Sequence, residues 1–233
     1  MKLRLLLISV ITAINIVACQ HKQQAPISTI DSTLQVNATS ILEEKLSEIN
    51  AQSGQVIVME VQSGQIKALV GLTRKDSANY QSCENFSVWQ STGLMHPISL
   101  LAALETGKVK LSDKVDTGNG IYQVQGRELK DHNWHRGGYG ELTVQEGLAA
   151  SSNIAIYKTM EKAFGDNPQT FFDLLTNMSY GKPDSINGIA SLQPYKITEK
   201  NITWNCIGYE QLISPIQVLT FYNAIANNGK MIQ

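Results

Sequence analysis

Apolar positions first fall at helical spacing after Ser40-Ile41-Leu42-Glu43, with Leu42, Leu46 and Ile49 on one face. The Ser-to-Glu spacing is a capping box, so a short amphipathic helix is expected to open at Ser40. Two β-branched runs follow, Val56 to Val61 and Ile66 to Val70, joined through Gln62-Ser63-Gly64-Gln65. A glycine at the turn between two such runs predicts a β-hairpin. From there the pattern is mostly helical. Pro97 to Glu105, with Leu100, Leu101 and Leu104, reads as a buried helix ended by Gly107. Thr143 to Glu146 is a second capping box, leading into helical sequence interrupted around Ser151 and closing near Gly165. Gln169 to Met178 makes another helix. Ser214-Pro215-Ile216-Gln217 is a third capping box with Pro at the first helical position, and its helix runs to Asn228-Gly229. The order predicts an α+β domain over residues 40–233 built on a small sheet.

Ahead of that domain, Lys2 and Arg4 precede an apolar run from Leu5 to Val17. The run falls short of the ~20 residues needed to span a bilayer and fits a signal-peptide core. It ends in Ile16-Val17-Ala18-Cys19, which resembles the lipobox of bacterial lipoproteins. That resemblance implies a signal peptide over residues 1–18 and a lipidated Cys19 as the mature first residue. Two or more acyl chains there would anchor the protein stably to a membrane. Residues 19–39 are polar, contain Pro26 and few large apolar side chains, and read as a flexible tether.

Composition narrows the function class. With 42% hydrophobic residues the chain is not disordered throughout. Nineteen basic against 20 acidic side chains leave no basic footprint for nucleic acid. Past Cys19, the remaining thiols are Cys83 and Cys206; they could pair in an oxidising compartment or stand as two isolated buried thiols. Both readings stay open at this point.

The string Val56-Ile57-Val58-Met59-Glu60-Val61-Gln62-Ser63-Gly64-Gln65-Ile66-Lys67-Ala68-Leu69-Val70 resembles the opening hairpin of the penicillin-binding protein transpeptidase domain. In order along the chain, Pro97-Ile98-Ser99-Leu100-Leu101 through Gly107-Lys108-Val109 is similar to the helix that carries that family's nucleophile. Glu141-Leu142-Thr143-Val144 through Ser151-Ser152-Asn153 is similar to its second motif. Ile207-Gly208-Tyr209-Glu210 through Asn228-Gly229 is similar to the helix before its third. The resemblance is collinear over roughly residues 50–233. It implies acyl transfer through a serine ester, with D-Ala-D-Ala peptides as substrates and β-lactams as mimics.

The family motifs are S-x-x-K, S-x-N and K-T-G. A lysine three residues after the nucleophilic serine lies on the same helical face and can act as its base. The second serine relays protons and the Asn holds the substrate amide. The third motif binds the substrate carboxylate and helps stabilise the oxyanion. Here the alignment places Gly93 at the nucleophile position and His96 at the lysine position. Register shifts do not restore the pair, since Ser91 is followed three residues on by Leu94. Thr92 and His96, four apart, form a weaker alternative nucleophile and base. Ser151-Ser152-Asn153 matches the second motif, and equally suits a structural cap between two helices. No Lys-Thr-Gly string occurs, and Lys230 is followed by Met231 and Ile232.

The resemblance therefore implies an incomplete transpeptidase domain lacking its C-terminal strands, with an open edge and an uncovered apolar face on the hairpin. A truncated product, a fragment or a half that needs a partner would each fit. Asp131-His132-Asn133-Trp134-His135-Arg136 is the densest polar-aromatic cluster, expected as a loop shaping a cleft rather than a metal site. No metal or other cofactor is expected. Cys206 as a nucleophile has no activating partner in sequence. Tyr180, Tyr195, Trp204 and Tyr209 are expected in the core, a ligand groove being the alternative. The leading expectation is a catalytically silent, lipid-anchored envelope protein that binds stem peptide or β-lactam, or a cell-wall enzyme. An acyl-enzyme using Thr92 or Ser151, and a β-lactam sensor domain, are the competing functions.

Overall fold

The computed structural model describes residues 29–77, 79–83, 92–182, 195–198 and 201–232. Cys19 and the signal-like run lie outside the described residues. Helix α1 (Ser32–Glu48) leads into an antiparallel sheet of β1 (Ser53–Met59), β2 (Ile66–Arg74) and β3 (Tyr80–Ser82), in that spatial order. The expected hairpin is present, with Ile57 opposite Leu69 and a bulge between Val58 and Met59. The short third strand was not anticipated.

Helix α1 opens eight residues before the expected Ser40 start, so residues 32–39 of the expected tether are helical. The cause is tertiary. Asp31 caps the helix by accepting from the Leu34 N–H, and the Asp31 N–H donates to the Lys67 carbonyl. Next, the Gln35 side-chain amide clasps the Leu69 backbone, donating to its carbonyl at 2.9 Å and accepting from its N–H at 2.8 Å. Residues 29–35 thereby satisfy the stretch of β2 that β3 does not reach. Strand β1 has no strand partner on its outer edge among the described residues.

Alternation sends the two faces of the hairpin to different helices. Leu46 of α1, with Leu42 and Ala38, packs on Val56, Val70 and Leu72. The opposite face, with Ile57, Met59, Ile66 and Leu69, packs on Ile216 of α7 (Pro215–Ala226). The expectation of an uncovered apolar face is corrected by this contact. Helix α7 starts at the predicted Ser214 capping box with Pro at its first turn.

The larger core lies in the helical part. Helix α2 (Met95–Glu105) contributes Met95, Ile98 and Ala102, while α4 (Asn153–Phe164) contributes Ile154, Ile156, Met160 and Phe164. Phe171 and Phe172 of α5 (Gln169–Asn177) stack against that cluster. Between α2 and α4 come two small ribbons. β4 (Lys114–Asp116) pairs with β7 (Glu141–Thr143), and β5 (Ile121–Val124) pairs with β6 (Arg127–Lys130). The Thr143 capping box opens α3 (Val144–Ala149), and the predicted interruption at Ser151 separates it from α4. A Cβ on Gly147 would stand 2.5 Å from the Ala155 Cβ, so only glycine allows α3 and α4 to cross this closely. A short helix α6 (Ile202–Asn205) and a pair of two-residue strands, β8 (Lys196–Ile197) and β9 (Gln211–Leu212), precede α7.

Candidate active site at the head of helix α2

Helix α2 is preceded by one tight turn, Thr92–Leu94, and its head is fixed by α7 and α6. The Tyr222 hydroxyl donates to the Leu94 carbonyl at 2.8 Å, and the buried Ser99 hydroxyl donates to the Cys206 carbonyl at 2.8 Å. Gly93 is exposed in that turn. Among the described residues, a Cβ built on it would meet one atom within 4 Å, the Ser151 Oγ at 3.3 Å. The head of α2 and the Ser151 loop thus converge. The Thr92 side chain lies outside the described residues.

His96, one turn further on, is buried. Its Nδ1 lies 3.2 Å from Ser151 Oγ and its Nε2 lies 3.1 Å from Asn153 Oδ1. The Asn153 Nδ2 donates to the Lys130 carbonyl at 2.8 Å, which turns Oδ1 toward the imidazole. Nε2 must then carry the ring proton, and Nδ1 is left as the acceptor for the Ser151 hydroxyl. Burial lowers the His96 pKa from 6.5, with the Asn153 bond pulling weakly the other way. The ring is therefore neutral at pH 7.

The loop that presents Ser151 is held from below. Ser151 has φ +51, a left-handed conformation uncommon outside glycine. Its N–H bonds to the Leu148 carbonyl and that of Ser152 bonds to the Gly147 carbonyl. Ser152 is wholly buried: its hydroxyl accepts from the Ala155 N–H and donates to Asp131 at 2.8 Å. The other Asp131 oxygen accepts from the Ile154 N–H at 3.1 Å. Burial raises the Asp131 pKa, while these donors oppose the shift. In the sequence, Asp131 stands out only as a member of a polar-aromatic cluster. Its position as clamp of the second motif was not legible, because nothing local marks a contact 21 residues away.

The remainder of that cluster forms a wall beside the loop. A tight turn, Trp134–Arg136, follows Asp131, and Gly138 at φ +74 sits against the backbone of Asn119 and Gly120. Tyr139 stands against His132 and donates to the Ala150 carbonyl, next to Ser151. Trp134 is 45% exposed, with the Lys130 ammonium 4.7 Å from its ring centre. No group of three His, Cys, Asp or Glu side chains among the described residues is placed to hold a metal.

Cys83 and Cys206 are both free thiols, so the possible disulfide is not formed in this structure. Cys206 is fully buried in the helical core, donates to the Thr203 carbonyl and has its pKa raised by desolvation. Such a thiol is a poor nucleophile. Of the four aromatics, Tyr180 and Trp204 are core residues, Tyr195 packs edge-on against Tyr180, and Tyr209 is exposed beside Trp204.

A family model described as the penicillin binding protein transpeptidase domain matches residues 54–233. The chain belongs to that family. It is 24% identical to the probable peptidoglycan D,D-transpeptidase PbpC of Pseudomonas aeruginosa, over 96% of this chain and 41% of that protein. The peptidoglycan D,D-transpeptidase FtsI of Escherichia coli K12 is 23% identical, over 86% of this chain and 35% of the relative. A crystal structure of a peptidoglycan glycosyltransferase from Burkholderia ambifaria superimposes with TM-score 0.72 at 25% identity, over 87% of this chain and 62% of that one. The transpeptidase domain of penicillin-binding protein 3 from Burkholderia pseudomallei has the same TM-score at 23% identity, over 87% and 59%. The chain thus spans less than half the length of these curated relatives. In this transpeptidase-family fold, of the α+β kind that the sequence implied, the Ser151 and Asn153 side chains converge on His96, beside Gly93.

Proposed function

We propose that this transpeptidase-family domain recognises peptidoglycan stem peptide at the cell envelope without forming an acyl ester on the head of α2. We further propose that it is carried on a lipidated Cys19 and faces the periplasm. Gly93 carries the reading. Where a serine oxygen is needed, it has a hydrogen, and no pKa shift or rotamer supplies the missing atom. His96 cannot stand in for a lysine base on that turn, because its one acceptor nitrogen faces Ser151. The names of the relatives supply the peptidoglycan context. Trp134 and Tyr139 beside the loop offer an aromatic surface to a peptide, next to a Lys130 ammonium already paired with Glu128 at 2.6 Å.

Two measurements test this. The chain is incubated with a fluorescent penicillin and mapped by peptide mass analysis, and its binding to a stem pentapeptide ending in D-Ala-D-Ala is followed by NMR. The expected results are no penicilloyl adduct on residues 92–96 and peptide-dependent shifts around Ser151 and Tyr139. An adduct on Thr92, or a spectrum untouched by millimolar peptide, overturns the proposal.

A further inference from the structure

We propose that Ser151 is a nucleophile activated by His96, able to take an acyl group from small carboxylic esters with good leaving groups. This goes beyond the peptide-binding reading and does not depend on it.

Three observations carry the proposal. First, the proton path is complete in the resting structure. Ser151 Oγ lies 3.2 Å from an imidazole nitrogen whose lone pair is free to accept, because Asn153 claims the ring N–H. Asn153 is in turn pinned by the Lys130 carbonyl, so nucleophile, base and orienting group form one chain. Second, Ser151 is presented in a strained left-handed turn between two helices, locked by the buried Ser152–Asp131 pair. Strain held by surrounding hydrogen bonds is a feature of positions where a side chain must project. Third, the hydroxyl is reachable. Ser151 is exposed, His96 is buried behind it, and Gly93 puts no side chain in front of it.

Ser151 Oγ adds to the ester carbonyl carbon while its proton passes to His96 Nδ1, and the carbonyl π pair moves to oxygen. The tetrahedral adduct collapses, the bond to the leaving oxygen breaks, and the imidazolium returns its proton to that oxygen or to water. A water molecule then adds to the acyl carbon as His96 takes its proton. Ser151 Oγ departs and recovers the proton, so ester and water give acid and alcohol. The reaction is confined to esters with good leaving groups such as phenols, whose tetrahedral adducts need the least oxyanion stabilisation to collapse. Burial keeps the imidazole neutral, the form the step needs.

The test uses the whole chain and p-nitrophenyl acetate, with phenol release followed by stopped flow and the acylated residue mapped by mass. The expected result is an acetyl ester on Ser151, with release slowed about 10²-fold or more by Ser151→Ala and by His96→Gln. Gly93→Val, which puts a branched side chain before the hydroxyl, is expected to slow it as well. Because His96 is buried and its replacement can disturb folding, the wild-type pH profile is read too. Ser151 and Asn153 are the polar partners of His96 among the described residues, and neither titrates. The rate should therefore follow one ionisation below 6.5 that coincides with the His96 titration seen by NMR. Acetylation confined to lysines, release unchanged in Ser151→Ala, or a profile rising only in the lysine range overturns the proposal. Stem-peptide binding to Ser151→Ala is measured in parallel, so loss of the nucleophile and loss of the binding site are read separately.

Discussion

Ser152 Oγ donates to Asp131 at 2.8 Å, and both side chains have no exposed surface. In the second motif, the residue between Ser151 and Asn153 is therefore the structural centre of the loop. It caps α4 through the Ala155 N–H while the carboxylate also receives the Ile154 N–H. Asp131→Ala leaves two buried donors without an acceptor, at ~1–3 kcal/mol each. The expected loss is about 2–4 kcal/mol in urea unfolding, together with loss of the Ser151–His96 contact in NMR spectra. An unchanged midpoint contradicts this assignment.

Lowering of the His96 pKa makes stability depend on pH in a stated direction. Between its folded value and 6.5, the unfolded state binds more protons than the folded one, so stability rises with pH. The contribution is complete above pH 6.5 and is lost as pH falls through the folded value. His96→Gln should flatten that part of the curve, measured as the urea midpoint between about pH 7.5 and 5. Asp131 acts in the opposite sense, since its raised pKa favours the folded state more at low pH. The comparison with His96→Gln isolates the histidine.

Gly138→Ala should be severe. An added Cβ would lie 2.2 Å from the Asn119 carbonyl carbon and the Gly120 nitrogen, at a φ of +74 that alanine rarely adopts. Backbone on the other side cannot yield as a side-chain tip does. A loss above ~3 kcal/mol is expected, read from thermal or urea unfolding. Gly126→Ala, with open space around its Cβ, is the control and should cost only the strain of its positive φ.

Gln35→Ala removes both bonds of the Leu69 clasp. The loss should be about 1–2 kcal/mol, with hydrogen exchange at the Leu69 amide accelerated more than at Val70. Equal acceleration along the whole strand would mean that the clasp does not act locally.

Legibility in the sequence followed the range of the interactions. The Thr143 and Ser214 capping boxes were readable because each is closed within three residues. The hairpin was readable because Val56–Val61 and Ile66–Val70 are adjacent and apolar. The true start of α1 was hidden, since the Gln35–Leu69 bonds span 34 positions and Ser40 offers a local signal that loses to them. The pairing of Lys114–Asp116 with Glu141–Thr143 was hidden for the same reason. At the site, family order put Gly93 and His96 in place. The Ser151 partnership of His96 spans 55 residues, and no local pattern marks it. Sequence spacing had offered Thr92 instead.

Thr29, Asp31 and Gln35 meet β2 at Ile66, Lys67 and Leu69 in turn. Tension arriving along the chain from the residues before Thr29 therefore enters the body at the central strand of the sheet. The hairpin takes the strain first, and the Ser151 loop lies further along the same line of contacts, through Ile216 and Tyr222 of α7 and His96 of α2.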